Sequence, residues 1–173
     1  MTAKTHPDNN KVNTNAVTVR KAIVEDAAIL FQFIKELAVY EKALDQVEAT
    51  EQSIASSLFS QGSNSYALIC EHQGQVIGSA IYFFNYSTWQ AKAGLYLEDL
   101  YVTPQARGLG GGTALLKAMA NIALEKGCGR FEWSCLDWNT PSREFYAAIG
   151  AEDQPEWVRY RMNDVQMQQF IAS

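Results

Sequence analysis

The chain is short of the residues on which many enzyme chemistries depend. It has two histidines and three cysteines in 173 residues. His6 lies in a polar N-terminal stretch and His72 in a His-Gln-Gly turn, so neither is placed to serve a Ser-His-Asp or Cys-His mechanism. Zinc would find too few ligands, and no metal is expected. Cys70, Cys128 and Cys135 contain no C-x-x-C pair and make an odd number, which reads as apolar filling rather than a disulfide frame. A catalytic thiol would lack a partner. Basic residues are in the minority: the net charge is -5 and the pI about 5.0, which argues against a nucleic-acid partner. Neither a secretory signal nor a long apolar run is present, so the expectation is a cytoplasmic protein with no membrane partner.

What is present suits a globular enzyme. Hydrophobic residues make up 47% of the chain and charged residues 19%. Residues 1–16 are polar and Asn/Thr-rich and read as a flexible arm, leaving 17–173 as one domain. Apolar alternation predicts a strand at Val17–Ala22, and helical spacing a helix over Glu25–Glu41. Thr50 can cap a short helix ending at Phe59. A hairpin follows from Tyr66–Glu71 to Gln75–Asn85. Strands at Gly94–Val102 and Arg130–Leu136 flank a helix over Gly110–Lys126. A helix over Ser142–Ile149, a last strand at Trp157–Met162 and a short terminal helix complete the chain. The sum is a mixed α/β fold, antiparallel in its first half, then strand–helix–strand–helix–strand.

The stretch from Tyr96 to Thr113 organises the rest. An apolar strand runs through a proline turn into a glycine-dense loop, and a helix follows at once. That order presents bare backbone N–H groups to an anion at a helix N-terminus. A dinucleotide fingerprint fails because the third glycine would fall on Thr113, and a nucleoside-triphosphate loop fails because Lys117 follows Leu116. What remains is Arg107-Gly108-Leu109-Gly110-Gly111-Gly112, an R-G-x-G-x-G loop.

With its flanks, Leu97-Glu98-Asp99 before and Asp137-Trp138-Asn139 and Phe145-Tyr146 after, this loop resembles the acyl-CoA loop of the GNAT superfamily of N-acetyltransferases. The segment Glu36–Glu41 and Tyr86-Ser87-Thr88-Trp89 are similar to the diamine (spermidine/spermine) and thialysine acetyltransferase branch. The resemblance implies acetyl-CoA as co-substrate, a GNAT-type fold, a homodimer and a small cationic amine as acceptor. It implies direct attack of the amine on the thioester through a tetrahedral intermediate. Two departures stand out: Gly111 replaces a usual aliphatic residue, and the acidic insert before Trp157 is short.

Roles follow residue by residue. The resemblance places the pantetheine arm along the backbone of Leu100, Tyr101 and Val102. The pyrophosphate falls on Gly108, Leu109, Gly110, Gly111, Gly112 and Thr113, with Arg107 beside them. Asn139 and Ser142 steady the cofactor arm. Tyr146 is the general acid for the leaving thiolate, and Glu98 takes the amine's proton. A primary amine of pKa near ~10.4 is neutral in only about one part in a few thousand at pH 7, a cost of roughly 4.6 kcal/mol. A nearby carboxylate attracts the ammonium but also raises its pKa. A division of labour resolves this, with Glu98 or Asp99 as base and more distant acids holding the distal charge. Tyr40, Glu41, Glu132, Trp133 and Glu156 are the candidate acceptor-binding residues. Strand alternation would turn Glu98 and Asp99 to opposite faces. Two other readings stay open: a protein or peptide N-acetyltransferase, and a non-catalytic acyl-CoA-binding module. The aromatic run Tyr82, Phe83, Phe84, Tyr86 and Trp89 serves either the core or a subunit contact.

Overall fold

Val17–Lys21 forms strand β1, and its sequence neighbour across the sheet is not the next element but Ser65–His72, strand β2. The structure, a computed structural model, describes residues 16–173, so the expected arm lies, Ala16 apart, outside the described residues. Strands β3 (Gln75–Ser87) and β4 (Lys92–Val102) extend the antiparallel sheet, and β5 (Arg130–Trp133) adds to β4 in parallel. The order is β1-β2-β3-β4-β5. The β2–β3 turn works because Gln73 and Gly74 both take positive φ, at 52° and 76°, whose twist matches the strands.

Helices cover this sheet through the apolar faces predicted for them. Helix α1 (Ala27–Tyr40) buries Leu30 and Phe33, and α2 (Glu51–Phe59) follows a short 3-10 turn. Thr50 caps α2 by accepting from the Ser53 N–H at 3.1 Å. Leu30, Ala67 and Ile69 form a core with Ile54, Leu58 and Ile81 packed on it. Helix α3 (Gly111–Glu125) buries Leu115, Leu116 and Met119 and stops at Gly127, φ 66°. Its first residue rests on the sheet: a Cβ on Gly111 would lie 3.3 Å from the Ile77 Cδ1 and 3.4 Å from the Cys70 Sγ. Glycine there allows a close helix–sheet approach rather than loosening the loop, since Gly111 is helical and buried.

An ion cluster ties the start of the chain to β2. Arg20 grips Asp26 with two nitrogens, at 2.6 and 2.9 Å, and donates to the Glu71 Oε1 at 2.8 Å. The Ile23 N–H also donates to Asp26, at 2.8 Å. The Arg20 guanidinium therefore holds the Asp26 carboxyl below its ordinary range, against its burial. Asp26→Asn is expected to lower stability at pH 7 by about 1–2 kcal/mol, less than a fully buried pair because Arg20 keeps contact with water. A depressed carboxyl stabilises only while ionised. The deficit should be full at neutral pH and shrink once pH drops below the unfolded value near ~3.9, which urea melts across pH would register.

The described residues fall into two compact units divided after Ser134. The second holds α4 (Thr140–Ala148) and α5 (Asp164–Ala172). The strand expected at Trp157–Met162 is absent. Its residues alternate, yet no strand ladder among the described residues receives them, and Trp157 and Tyr160 remain 67% and 90% exposed. A strand exists only through its partner. The mixed α/β fold is as expected, with this final strand missing and β5 ending at Trp133 rather than Leu136.

Candidate active site

Strand β4 outruns its parallel neighbour. Pairing with β5 covers only Gly94–Leu97, so among the described residues no strand flanks Glu98–Val102 on that side. Those backbone groups form an open edge that an amide-bearing ligand can join as a strand would. Leu100, Tyr101 and Val102 lie on it as the sequence predicts.

The edge leads straight into the glycine loop. A 3-10 turn at Pro104–Ala106 reverses the chain, and Gly108 and Gly110 then take φ of 84° and 88°. A Cβ at either would meet nothing within 4 Å, so these glycines serve backbone conformation, not packing. The N–H groups of Gly111, Gly112 and Thr113 open α3 and have no acceptor within the helix. They suit a pyrophosphate. Leu109 differs, since its N–H turns back to the Ala106 carbonyl at 3.3 Å. Open edge and bare helix start together fit an acyl-CoA.

The acids sit at an irregularity. Ile81 pairs with Asp99 and Tyr82 with Leu97, which leaves Glu98 as the extra residue of a β-bulge. Alternation therefore fails here, and Glu98 and Asp99 are not held on opposite faces as expected. Asp99 shares the face of Ile81, which α1 covers, while Glu98 is exposed. Burial, then the charges of Glu98 and Glu41, push the Asp99 carboxyl up to about 6. Burial also raises Glu41, which follows the last residue of α1.

Tyr101, Arg107 and α1 meet on the same side. The Tyr101 hydroxyl donates to the Glu36 Oε2 at 2.6 Å, and its ring centroid lies 5.3 Å from that of Phe33. Burial and Glu36 raise the phenol to about 12, while the positive charge of Arg107 opposes them. The Arg107 guanidinium lies over the Tyr40 ring, 5.5 Å from its centroid. Tyr40, Glu41, Glu98, Tyr101 and Arg107 are thus brought together.

The other candidates lie on β5 and in the second unit. Glu132 pairs with the Arg130 Nε at 2.8 Å and accepts from the Asn85 side chain at 3.1 Å, so its charge is already met. Trp133 ends β5 against Leu97, its ring 4.9 Å from Phe131. In the second unit, Asn139 caps α4 by accepting from the Ser142 N–H at 3.4 Å. Asn139, Ser142 and Tyr146 follow at spacings of three and four and share one side of that helix. Glu156 lies in an exposed turn of the same unit. Sequence reasoning missed Glu36, whose clue was its four-residue spacing from Tyr40.

Known proteins similar to this chain match it over most of its length. The family described as Acetyltransferase (GNAT) matches residues 32–151. The thialysine N-epsilon-acetyltransferase of Bos taurus is 36% identical over 90% of this chain and 98% of its own. The spermidine/spermine N(1)-acetyltransferase-like protein 1 of Homo sapiens is 34% identical over 84% of this chain and 22% of its own. An integron cassette protein from the mobile metagenome of V. cholerae superposes with a TM-score of 0.76 at 27% identity, over 91% of this chain and 98% of its own. The similarity runs through both the opened strand and the loop that ends it, and the chain belongs to the acetyltransferase (GNAT) family.

Proposed function

We propose that the chain transfers an acetyl group from acetyl-CoA to a primary amine of a small cationic acceptor, a polyamine, a diamine or a thialysine-like amino acid. The observation that carries this is the open edge of β4 at Glu98–Val102, continuous with the bare N–H groups that begin α3. The named relatives, a thialysine N-epsilon-acetyltransferase and a spermidine/spermine N(1)-acetyltransferase-like protein, support a small amine as acceptor.

Acetyl-CoA supplies the thioester carbon that the amine attacks. The Leu100–Val102 backbone holds the pantetheine arm and donates an N–H to the oxygen that gains charge, a contribution of about 2.7–4 kcal/mol in such sites. Gly110 to Thr113 hold the pyrophosphate, with Arg107 alongside. The bulge carries the proton chemistry: the ammonium binds near Glu98, Asp99 and Glu41 and loses its proton into the Glu98–Asp99 pair. A carboxyl near 6 is ionised at pH 7 yet close enough in affinity to hold a proton. Glu41 keeps its charge on the distal amine. Tyr146 donates to the departing thiolate, and Asn139 and Ser142 steady the arm.

The same reading has the chain act in the cytoplasm as a homodimer, with exposed Tyr86 and Trp89 at the contact. Light scattering that returned a 19.3 kDa particle at micromolar concentration would remove the dimer. The activity itself is tested by thiol release from acetyl-CoA with spermidine, thialysine and a mixed peptide. Turnover with either small amine supports the proposal. Turnover with the peptide alone makes the chain a peptide acetyltransferase, and CoA binding without turnover makes it a sensing module.

A further inference from the structure

Gln32, Glu36 and Tyr40 follow one another at four-residue intervals and form a single stripe on α1. The Gln32 amide donates to the Glu36 Oε1 at 2.8 Å, and the Tyr101 hydroxyl to the Oε2 at 2.6 Å. One helical turn later, the Tyr40 ring carries the Arg107 guanidinium. Tyr101 and Arg107 stand on either side of the proline turn that converts β4 into the glycine loop. The stripe therefore holds both ends of that turn. Among the described residues β4 is held here by strand β3 alone, through Val102 opposite Gly78 and the Thr103 N–H donating to the Ile77 carbonyl at 2.9 Å, and the α1 stripe adds a second hold from the helix side. The Gln32 bond is an exposed pair within α1, whereas the Tyr101 bond is part-buried and joins α1 to β4 across 65 residues.

We infer that Glu36 is a positioning residue for the cofactor cradle: acting through Tyr101, and with Tyr40 acting through Arg107, it pre-sets the turn that joins the β4 edge to the start of α3. This inference rests on the reading that acetyl-CoA binds along that edge and loop. Pre-setting removes ordering that the ligand would otherwise impose on binding. The Tyr101–Glu36 bond uses neither the Glu98–Asp99 pair nor Glu41, so its loss is expected to act on cofactor affinity rather than on acceptor affinity.

The test is calorimetric titration of the full chain with CoA for the wild type, Tyr101→Phe, Glu36→Ala and the double variant. Each protein is held below its own melting temperature. Both single variants should bind CoA about five- to tenfold more weakly. The double should be no weaker than the weaker single, because one bond is lost in all three. The KM for acetyl-CoA should rise in step while the KM for spermidine stays within about twofold. Glu36→Gln, which keeps an acceptor oxygen, should recover part of the loss. CoA affinity unchanged in both single variants, with only a lower melting temperature, overturns the inference. So does an equal rise in both KM values. If Glu36→Ala does not fold, Tyr101→Phe, which removes a hydroxyl alone, decides. A wild type that binds no CoA removes the acetyl-CoA reading and the brace together. A wild type that binds CoA beside variants that bind it equally well removes the brace alone.

Discussion

Asp99→Asn is expected to lower turnover by about two orders of magnitude and to erase an acid limb near pH 6 from the rate profile. The sign follows from the raised carboxyl. Below pH 6 it carries its own proton and cannot take one from the amine, so the rate falls as pH drops. Above pH 6 it is ionised and the limb levels off, leaving the slower rise set by the amine itself. Glu98→Gln probes the same pair differently. Glu98 is one of the charges that lift Asp99, so its neutralisation should move the acid limb to lower pH. Stopped-time assays from pH 5 to 9 separate the two. An Asp99→Asn enzyme that keeps both turnover and limb, beside a Glu98→Gln enzyme that loses them, would route the proton through Glu98 alone.

The second large effect belongs to Tyr146. Tyr146→Phe should reduce kcat by about a hundredfold while both KM values stay within a few-fold, since the phenol acts on charge that develops only as the thiolate departs. Its place on α4, in line with Asn139 and Ser142, supports a shared duty on that side of the helix. Phe145, with its ring centroid 5.6 Å away, can supply aromatic packing in either protein. Retained turnover in the variant would reduce Tyr146 to the same packing role. A matched loss of kcat and CoA affinity would assign it to cofactor binding instead.

Local chemistry was legible in the residues. Thr50 read as a helix cap, His72-Gln73-Gly74 as a hairpin turn and Gly127 as a helix stop, because each depends on atoms a few positions away. The glycine loop was legible for the same reason, and its flanks carried the family. Pairings across the fold were not. Arg20 meets Glu71 across 51 residues and Tyr101 meets Glu36 across 65, and nothing near either residue announces the partner. The bulge at Glu98 was hidden too, since an extra residue in a strand leaves the apolar pattern almost intact while resetting which side chains share a face. Glu132 looked available because its partners, Arg130 and Asn85, converge only once the strands align. The strand expected at Trp157–Met162 failed in the opposite sense: the residues alternate, yet among the described residues they join no strand ladder.

Gly111 and Cys70 give the molecule a clock of its own. The thiol is fully enclosed under the first turn of α3, its Sγ 3.9 Å from the Gly111 carbonyl, and burial raises it to about 11. A thiol reagent can reach it only when that turn lifts off the sheet, whereas exposed Cys135 and half-buried Cys128 are open to earlier attack. The lag of the third labelling event therefore times the opening of the segment that would grip the pyrophosphate, at a residue the chain already has. CoA that seats there should lengthen that lag in proportion to its occupancy, turning cofactor binding into a rate that mass spectrometry can count.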